Sequence, residues 1–283
     1  MSVLRQQMIA AMQQRGFAVR TQKSYLNAVY QLTAFFNRSP DTIDAQEIQL
    51  FFDYLVQGKA LSASSCRVYL HGIRFFYLRV LEREEFTVTW VMPRRPIKIP
   101  ELLTQKEIRK ILSVCDNPKH RMLLSTCYGC GLRVSELVAL KTRDIDGERK
   151  LLRVTQGKGN RDRAVVLSDK LLCNLRQYWC SHRPHNWLFP GADPNTALSI
   201  QSAQRLFKQR KARASIDKVG GIHSLRHAYA THQLQAGMPL NELQHQLGHS
   251  HIRTTLRYVH WVPNYRQNST QGTDLMAMLG ALS

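Results

Sequence analysis

The chain has 283 residues, 43% hydrophobic and 21% charged, enough apolar material for a sizeable core and, at ordinary domain sizes, for two domains. That balance excludes disordered, collagenous and coiled-coil classes. Forty Lys and Arg against 20 Asp and Glu give a formal net charge of +20. The excess lies on both sides of residue 100, so it is not a detachable tail. A folded basic protein of this size points to nucleic acid, with a membrane surface as the competing partner. No apolar run approaches the roughly 20 residues that span a bilayer. The N-terminal Met-Ser-Val-Leu-Arg-Gln-Gln turns polar at once, unlike a signal peptide, so a soluble, cytoplasmic protein is expected. The six cysteines are then expected as reduced thiols. Cys127-x-x-Cys130 is expected as a pair of core cysteines rather than a zinc or redox site, because no second pair at zinc-ribbon spacing follows and Leu123–Cys130 reads as an apolar helix.

Residues 1–81 read as four short helices. Val3, Leu4, Met8, Ala11 and Met12 fall at helical spacing, and Tyr25, Val29, Leu32, Phe35 and Phe36 follow on one face. Asp44 with Glu47 predicts a capping box for a helix ending near Gly58. Ser62 starts a fourth helix carrying Val68, Leu70, Ile73, Phe76, Tyr77 and Val80. Four helices of this length make a small bundle. Arg20, Lys23, Arg67, Arg74 and Arg79 interleave with Tyr25, Tyr69 and Tyr77, a pattern suited to a DNA-facing surface and equally to an ordinary solvated face. In residues 86–100, Pro93, Pro96 and Pro100 stand among Arg94, Arg95 and Lys98. Prolines at that density cannot sustain a helix and read as a semi-rigid linker. It separates an N-terminal domain, 1–85, from a second domain, 101–283.

The second domain opens with another capping box, Thr104 with Glu107, ahead of a helix through Ile111 and Leu112. Helical patterns cover 119–130 and 134–140. The period then changes. Leu151, Leu152 and Val154 precede Gly157-Lys158-Gly159-Asn160, and Ala164, Val165, Val166 and Leu167 follow, which predicts a β-hairpin. Helices return near 168–180, 199–213, 223–236, 239–247 and 250–259, the last group punctuated by Gly237 and Pro239. The fold class is therefore mainly α (α+β): a four-helix bundle and a mostly helical catalytic-sized domain with one small antiparallel sheet.

Nucleotide-binding glycine loops are absent. Asp144, Asp146, Glu148 and Asp162 read as surface charge rather than as carboxylates converging on metal ions. His223 and His227 stand at i, i+4, but no Glu follows the first His as a metalloprotease requires, so no metal is expected. What remains is cationic. Arg133 opens a helix after a glycine turn, Lys158 sits in a hairpin turn, His223 and Arg226 lie one turn apart, His249 marks a helix junction, and Tyr258 follows nine residues later.

That set suits phosphodiester cleavage by a protein hydroxyl. Two guanidinium forks match the charge that gathers on the non-bridging oxygens. A lysine can protonate a departing 5′-oxygen. A tyrosine, with a reference pKa of about 10, becomes a nucleophile where cations favour the phenolate. Each residue alone has a plainer reading. Gly-Leu-Arg is a common helix start, Gly-Lys-Gly a turn, His223 and His249 structural histidines, and Tyr258 a core tyrosine.

Taken in order, four segments resemble the tyrosine recombinases of the phage integrase family. They are Tyr128-Gly-Cys-Gly-Leu-Arg133-Val-Ser-Glu136-Leu, Gly157-Lys158-Gly159-Asn-Arg-Asp-Arg163, His223-Ser-Leu-Arg226-His-Ala-Tyr-Ala-Thr-His and Leu247-Gly-His249-Ser-His-Ile-Arg-Thr-Thr-Leu-Arg-Tyr258. The resemblance covers nearly the whole chain and implies the roles. Arg133 and Arg226 would clamp the scissile phosphate, and Lys158 would be the general acid. His223 would assist proton transfer with the nucleophile, and His249 would hydrogen-bond a phosphoryl oxygen. Tyr258 would form a 3′-phosphotyrosyl link without metal, ATP or other cofactor. Tyr229 is the next candidate nucleophile. Arg161 and Arg163 join Arg20, Lys23, Arg67 and Arg74 as candidate DNA-binding residues.

The resemblance also implies double-stranded DNA as partner and a homo-tetramer in the synapse. A C-terminal helix carrying Leu275, Met276, Met278, Leu279 and Leu282 would dock into a neighbouring protomer. The chain is similar to integron integrases and to compact chromosome-dimer-resolving recombinases. However, only 64 residues separate Lys158 from His223, too few for the extra helical insertion of integron integrases. A compact mobile-element integrase or transposase fits best, with dimer resolution, topoisomerase-like relaxation or a non-catalytic DNA-binding regulator as the other readings.

Overall fold

The computed structural model describes residues 3–86, 101–155 and 162–262. The chain divides into two compact units, Met1–Ile97 and Lys98–Ser283. Most of the expected linker lies outside the described residues.

The first unit holds α1 (Val3–Gln14), α2 (Val19–Phe36), α3 (Ala45–Asp53) and α4 (Ala63–Arg79). The Asp44–Glu47 capping box is present, each side chain bonded to the other's backbone N–H. Beyond Asp53 the helix widens into a π-turn, Tyr54–Gly58, so the helical path does run to Gly58. Ser62 caps α4 by accepting from Ser65 N. The pair α2 and α4 is drawn close at Gly72, where an added Cβ would lie 3.0 Å from the Tyr25 Cα. Met8, Met12, Leu32, Phe51, Phe52, Phe76 and Tyr77 are fully buried. This core is built of large apolar and aromatic side chains, the type whose burial contributes most per residue.

The second unit begins with α5 (Gln105–Ser113), its Thr104–Glu107 capping box formed as expected, then α6 (Pro118–Gly129) and α7 (Val134–Val138). The sheet has three antiparallel strands in the order β1-β2-β3: Ile145–Asp146, Leu151–Val154 and Arg163–Val166. The hairpin register pairs Leu151 with Val166 and Val154 with Arg163. The first strand was not legible in the sequence. At two residues it has no period, and only pairing with Leu151 and Leu152 makes it a strand. Asp144 also departs from the surface reading. It is 8% exposed, and its carboxylate accepts from Lys141 N at 2.8 Å.

Five further helices follow: α8 (Asp169–His182), α9 (Ile200–Arg213), α10 (His223–Gln235), α11 (Leu240–Leu247) and α12 (Ile252–Val259). Cys66, Cys115, Cys127 and Cys130 are buried free thiols, the Cys127–Cys130 pair in the core as expected, whereas Cys173 and Cys180 are exposed on α8. Burial pushes the Cys127 and Cys130 thiols up to about 12, so both are inert protonated core groups at neutral pH. Two apolar clusters organise this unit. The larger runs from Leu103 to Ala228, and a smaller one gathers Tyr229, Leu234, Leu243, Leu247, Tyr258 and Val262. Among the described residues, no helix is long and apolar enough to cross a membrane.

Candidate active site

The site is built where α6, α7, α10, α11 and α12 meet, and its framework is a buried carboxylate. Glu136 stands three residues into α7 and folds back on the helix start. Its Oε2 accepts from Arg133 N at 2.9 Å and its Oε1 from Arg133 Nη1 at 2.6 Å. Arg163, at the first residue of β3, grips the same carboxylate with a two-pronged fork of 3.0 and 2.8 Å. Arg226 Nη1 lies 3.8 Å from Oε2. Burial would raise the Glu136 carboxyl, but the hydrogen bonds and charge of Arg163, with those of Arg133, outweigh it and hold it at about 2. Three guanidiniums around one carboxylate leave a surplus of two positive charges, a standing invitation to a phosphate.

Glycine turns aim the two candidate clamp arginines. Gly131 has φ +59°, and a Cβ there would lie 2.4 Å from the Tyr229 ring; its carbonyl accepts from Arg226 Nη1 at 2.7 Å. Leu247 O accepts from Arg226 Nη2 at 2.7 Å, and Gly248 O accepts from Arg133 Nη2 at 3.3 Å. Arg226 is 4% exposed. Burial, with repulsion from Arg133, lowers its guanidinium to about 10, so it stays charged at neutral pH.

His249 completes this wall. Arg226 Nη2 reaches His249 Nε2 at 3.1 Å, and His249 Nδ1 lies 2.9 Å from Thr255 Oγ1. A guanidinium only donates, so Nε2 is the acceptor and Nδ1 carries the hydrogen. Burial and the charges of Arg226, Arg133, Arg163 and Arg257 lower this imidazole to about 3, and it is neutral in the free protein.

Tyr258 sits on the buried side of α12, 4% exposed. Its ring lies parallel to His249 at 6.2 Å between centroids and edge-on to Trp261 at 5.2 Å. Burial raises its hydroxyl pKa, opposed by Arg226 through charge and hydrogen bonding and by the charges of Arg133 and Arg257. The imidazole at the phenol oxygen is that of His227, whose Nδ1 lies 3.2 Å from Oη. His223 is exposed at the first position of α10. Burial and the neighbouring Arg226 and Arg133 lower its pKa.

The structure thus gathers Arg133, Arg226, His249 and Tyr258 and places His223 on the helix that carries Arg226. Lys158 and Arg161 lie outside the described residues, as does the expected C-terminal tail helix. Arg20, Lys23, Arg67 and Arg74 are exposed on α2 and α4. Arg163 departs from its expected part as a DNA contact. Its side chain is 6% exposed, committed to Glu136 and, through Nε at 2.9 Å, to Gln246 O. Tyr229, the alternative nucleophile, packs in the core with its hydroxyl pushed up to about 12 by burial.

Glu136 carries no assigned role in its sequence motif, although its i+3 spacing from Arg133 is a capping signal. In the sequence His227 reads only as a zinc-spaced partner of His223. Nothing local marks Thr255, which meets His249 only because α12 folds back. Among the described residues, no group of three or more His, Cys, Asp and Glu side chains is placed to hold a metal ion.

Comparison with known proteins identifies the family. Residues 101–264 match the phage integrase family, and residues 4–85 match its N-terminal SAM-like domain. A putative integrase/recombinase of Sinorhizobium fredii, y4qK, is 38% identical over 93% of this chain and 86% of its own. Tyrosine recombinase XerD of Staphylococcus saprophyticus is 34% identical over 78% of this chain and 79% of its own. Among solved structures, the Tn1549 transposon integrase in complex with a circular intermediate DNA superposes with a TM-score of 0.70 at 17% identity, covering 90% of this chain and 94% of that one. XerH bound to its difH substrate also gives 0.70, at 21% identity, over 92% and 81%. With both of its domains matched in order, the chain belongs to the phage integrase family and is a tyrosine recombinase, an enzyme of DNA strand cleavage and religation.

Proposed function

We propose that this chain is the site-specific recombinase of a mobile element, cutting and rejoining its DNA through a 3′-phosphotyrosyl link at Tyr258. The observation that carries the reading is the convergence on one buried phenol: Arg226 and His227 act on its oxygen, and the two-charge surplus around Glu136 lies beside it. Arg133 and Arg226 bind the non-bridging oxygens, preorganised by the carbonyls of Gly131, Leu247 and Gly248 rather than by the substrate. When a phosphate takes over the Arg226 N–H, His249 Nε2 is freed, and the added negative charge favours its protonation, so that it donates to the same phosphoryl group. His223, on the exposed first turn of α10, adds a further donor, and Lys158 protonates the leaving 5′-oxygen. Tyr258 attacks in line, and the covalent bond preserves the phosphodiester energy for rejoining. Arg163 is reassigned from DNA contact to positioning residue, because its donors are spent on Glu136 and Gln246.

Arg20 and Lys23 on α2, with Arg67 and Arg74 on α4, supply phosphate contacts from the N-terminal unit. Four protomers on two duplex sites form the working assembly, and the first relatives reported above favour integration or transposition. The likeness to XerD sustains a second reading, resolution of chromosome or plasmid dimers. The test is a set of nicked suicide duplexes tiled from the DNA flanking the gene, resolved on denaturing gels. A Tyr258-dependent adduct at one position at the element's border supports the proposal. An adduct only at a chromosomal or plasmid resolution site favours the second reading, and tight binding without any adduct rejects both.

A further inference from the structure

The reaction needs an acceptor for the phenolic proton. The resemblance gives that part to His223, but His223 is exposed at the first position of α10, and the imidazole at the phenol oxygen is that of His227. The other groups around Tyr258 serve poorly. Arg226 acts on the same oxygen but has only N–H donors. Glu136 is saturated by Arg163 and Arg133. His249 is the obvious imidazole, yet both of its ring nitrogens are engaged, by Arg226 and by Thr255. His227 differs. Its Nδ1 is 3.2 Å from Oη, its ring is inclined 50° to the phenol, and Trp261 stands perpendicular to it at 5.6 Å.

We infer that His227, one turn beyond His223 on α10, is the catalytic base of Tyr258: its Nδ1 takes the phenolic proton as the tyrosyl–phosphorus bond forms and returns it on religation. The inference rests on Tyr258 being the nucleophile. In cleavage the O–H bond of Tyr258 breaks and an N–H bond forms on His227. Oη bonds to phosphorus, the phosphorus–O5′ bond breaks, and O5′ takes one proton from the general acid. One proton is given and one received, with no co-reactant. Burial, with the charges of His223, Arg226 and Arg257, holds His227 neutral, at about 4, so its lone pair is free in the resting protein. An arriving phosphate brings negative charge and strengthens the base when it is needed.

The test uses the full chain with His227→Ala and His227→Asn on a nicked suicide duplex. It is run once with the ordinary 5′-oxygen and once with sulfur as the bridging leaving atom, which needs no acid. Both variants are expected to bind DNA as the unsubstituted protein does and to form adduct at least about 100-fold more slowly. Sulfur is expected not to restore them, although it restores Lys158→Ala, and free imidazole is expected to raise the rate of His227→Ala. A wild-type rate in His227→Asn, which keeps an acceptor oxygen but cannot take a proton, overturns the inference. So does recovery of either variant on the sulfur substrate, or an Ala variant indifferent to imidazole. Those outcomes leave Tyr258 as nucleophile. Absence of adduct from the unsubstituted protein on either duplex rejects the nucleophile assignment itself.

Discussion

The two units of this chain are held together by different physics. The N-terminal bundle buries aromatic and thioether side chains, Phe51, Phe52, Phe76, Tyr77, Met8 and Met12, and its ion pair between Arg38 and Glu47 lies at the surface. The catalytic unit buries ionised groups, Glu136, Arg163 and Arg226. Buried ion pairs contribute little net stability against an apolar alternative, because desolvation offsets their attraction. Among the described residues they occur in one unit and not the other, a difference explained by function. A preorganised cationic site must exist before DNA arrives, and one carboxylate holds three like charges together.

The largest expected effect leaves both kinds of stabilisation intact. Tyr258→Phe deletes one buried oxygen: covalent adduct falls to background while specific binding persists in a mobility-shift assay. An adduct retained by this variant would break the functional side of the comparison. Glu136→Gln strikes the electrostatic unit itself. Leaving Arg163 and Arg226 without their counter-charge costs about 3–5 kcal/mol, read as a lowered denaturation midpoint of the catalytic unit, and cleavage falls with it. Phe52→Ala makes the matching cut in the bundle, about 3–5 kcal/mol from lost burial and a cavity. Full-length protein should then show the bundle melting first, with adduct formation on a high-affinity duplex retained below that transition.

Acid separates the units more gently. The Glu136 carboxyl titrates near 2 when folded against an ordinary 4.5, so its support, about 3 kcal/mol, is complete above pH 4.5 and lost as pH falls towards 2. His227 and His249 are likewise depressed, to about 4 and about 3 from 6.5. The fold therefore favours their neutral forms, and their contribution is complete above pH 6.5 and declines as pH falls towards those values. Scanning calorimetry from pH 7 to 4 should lower the catalytic transition more than the bundle's, whose resolved shifts are upward displacements of Tyr25, Cys66 and Tyr77. Equal displacement would remove the contrast. The smallest effect belongs to the surface: Arg74→Ala should reduce the slope of log affinity against log salt by about one, without moving either transition.

Capping residues, helical periods and the Gly-rich hairpin were legible because each depends on neighbours within one or two turns. Asp44 with Glu47, Thr104 with Glu107 and Ser62 all cap as their local sequence requires. The ordered motif residues Arg133, His223, Arg226, His249 and Tyr258 were legible for a different reason, since the chemistry of a phosphodiester restricts which side chains can serve it. Three features were not. The two-residue first strand exists only by pairing with Leu151 and Leu152. Arg163, which reads as an exposed basic residue beside a hairpin, is drawn inward by a carboxylate 27 residues away. The choice between His223 and His227 at the phenol oxygen depends on how α12 packs across α10. The helices, their ends and the chemical inventory can be read from the residues alone, because they follow from local geometry and residue type. Which cations are spent on Glu136 and which histidine reaches Tyr258 is settled in the folded chain, because those contacts join segments that are distant in sequence.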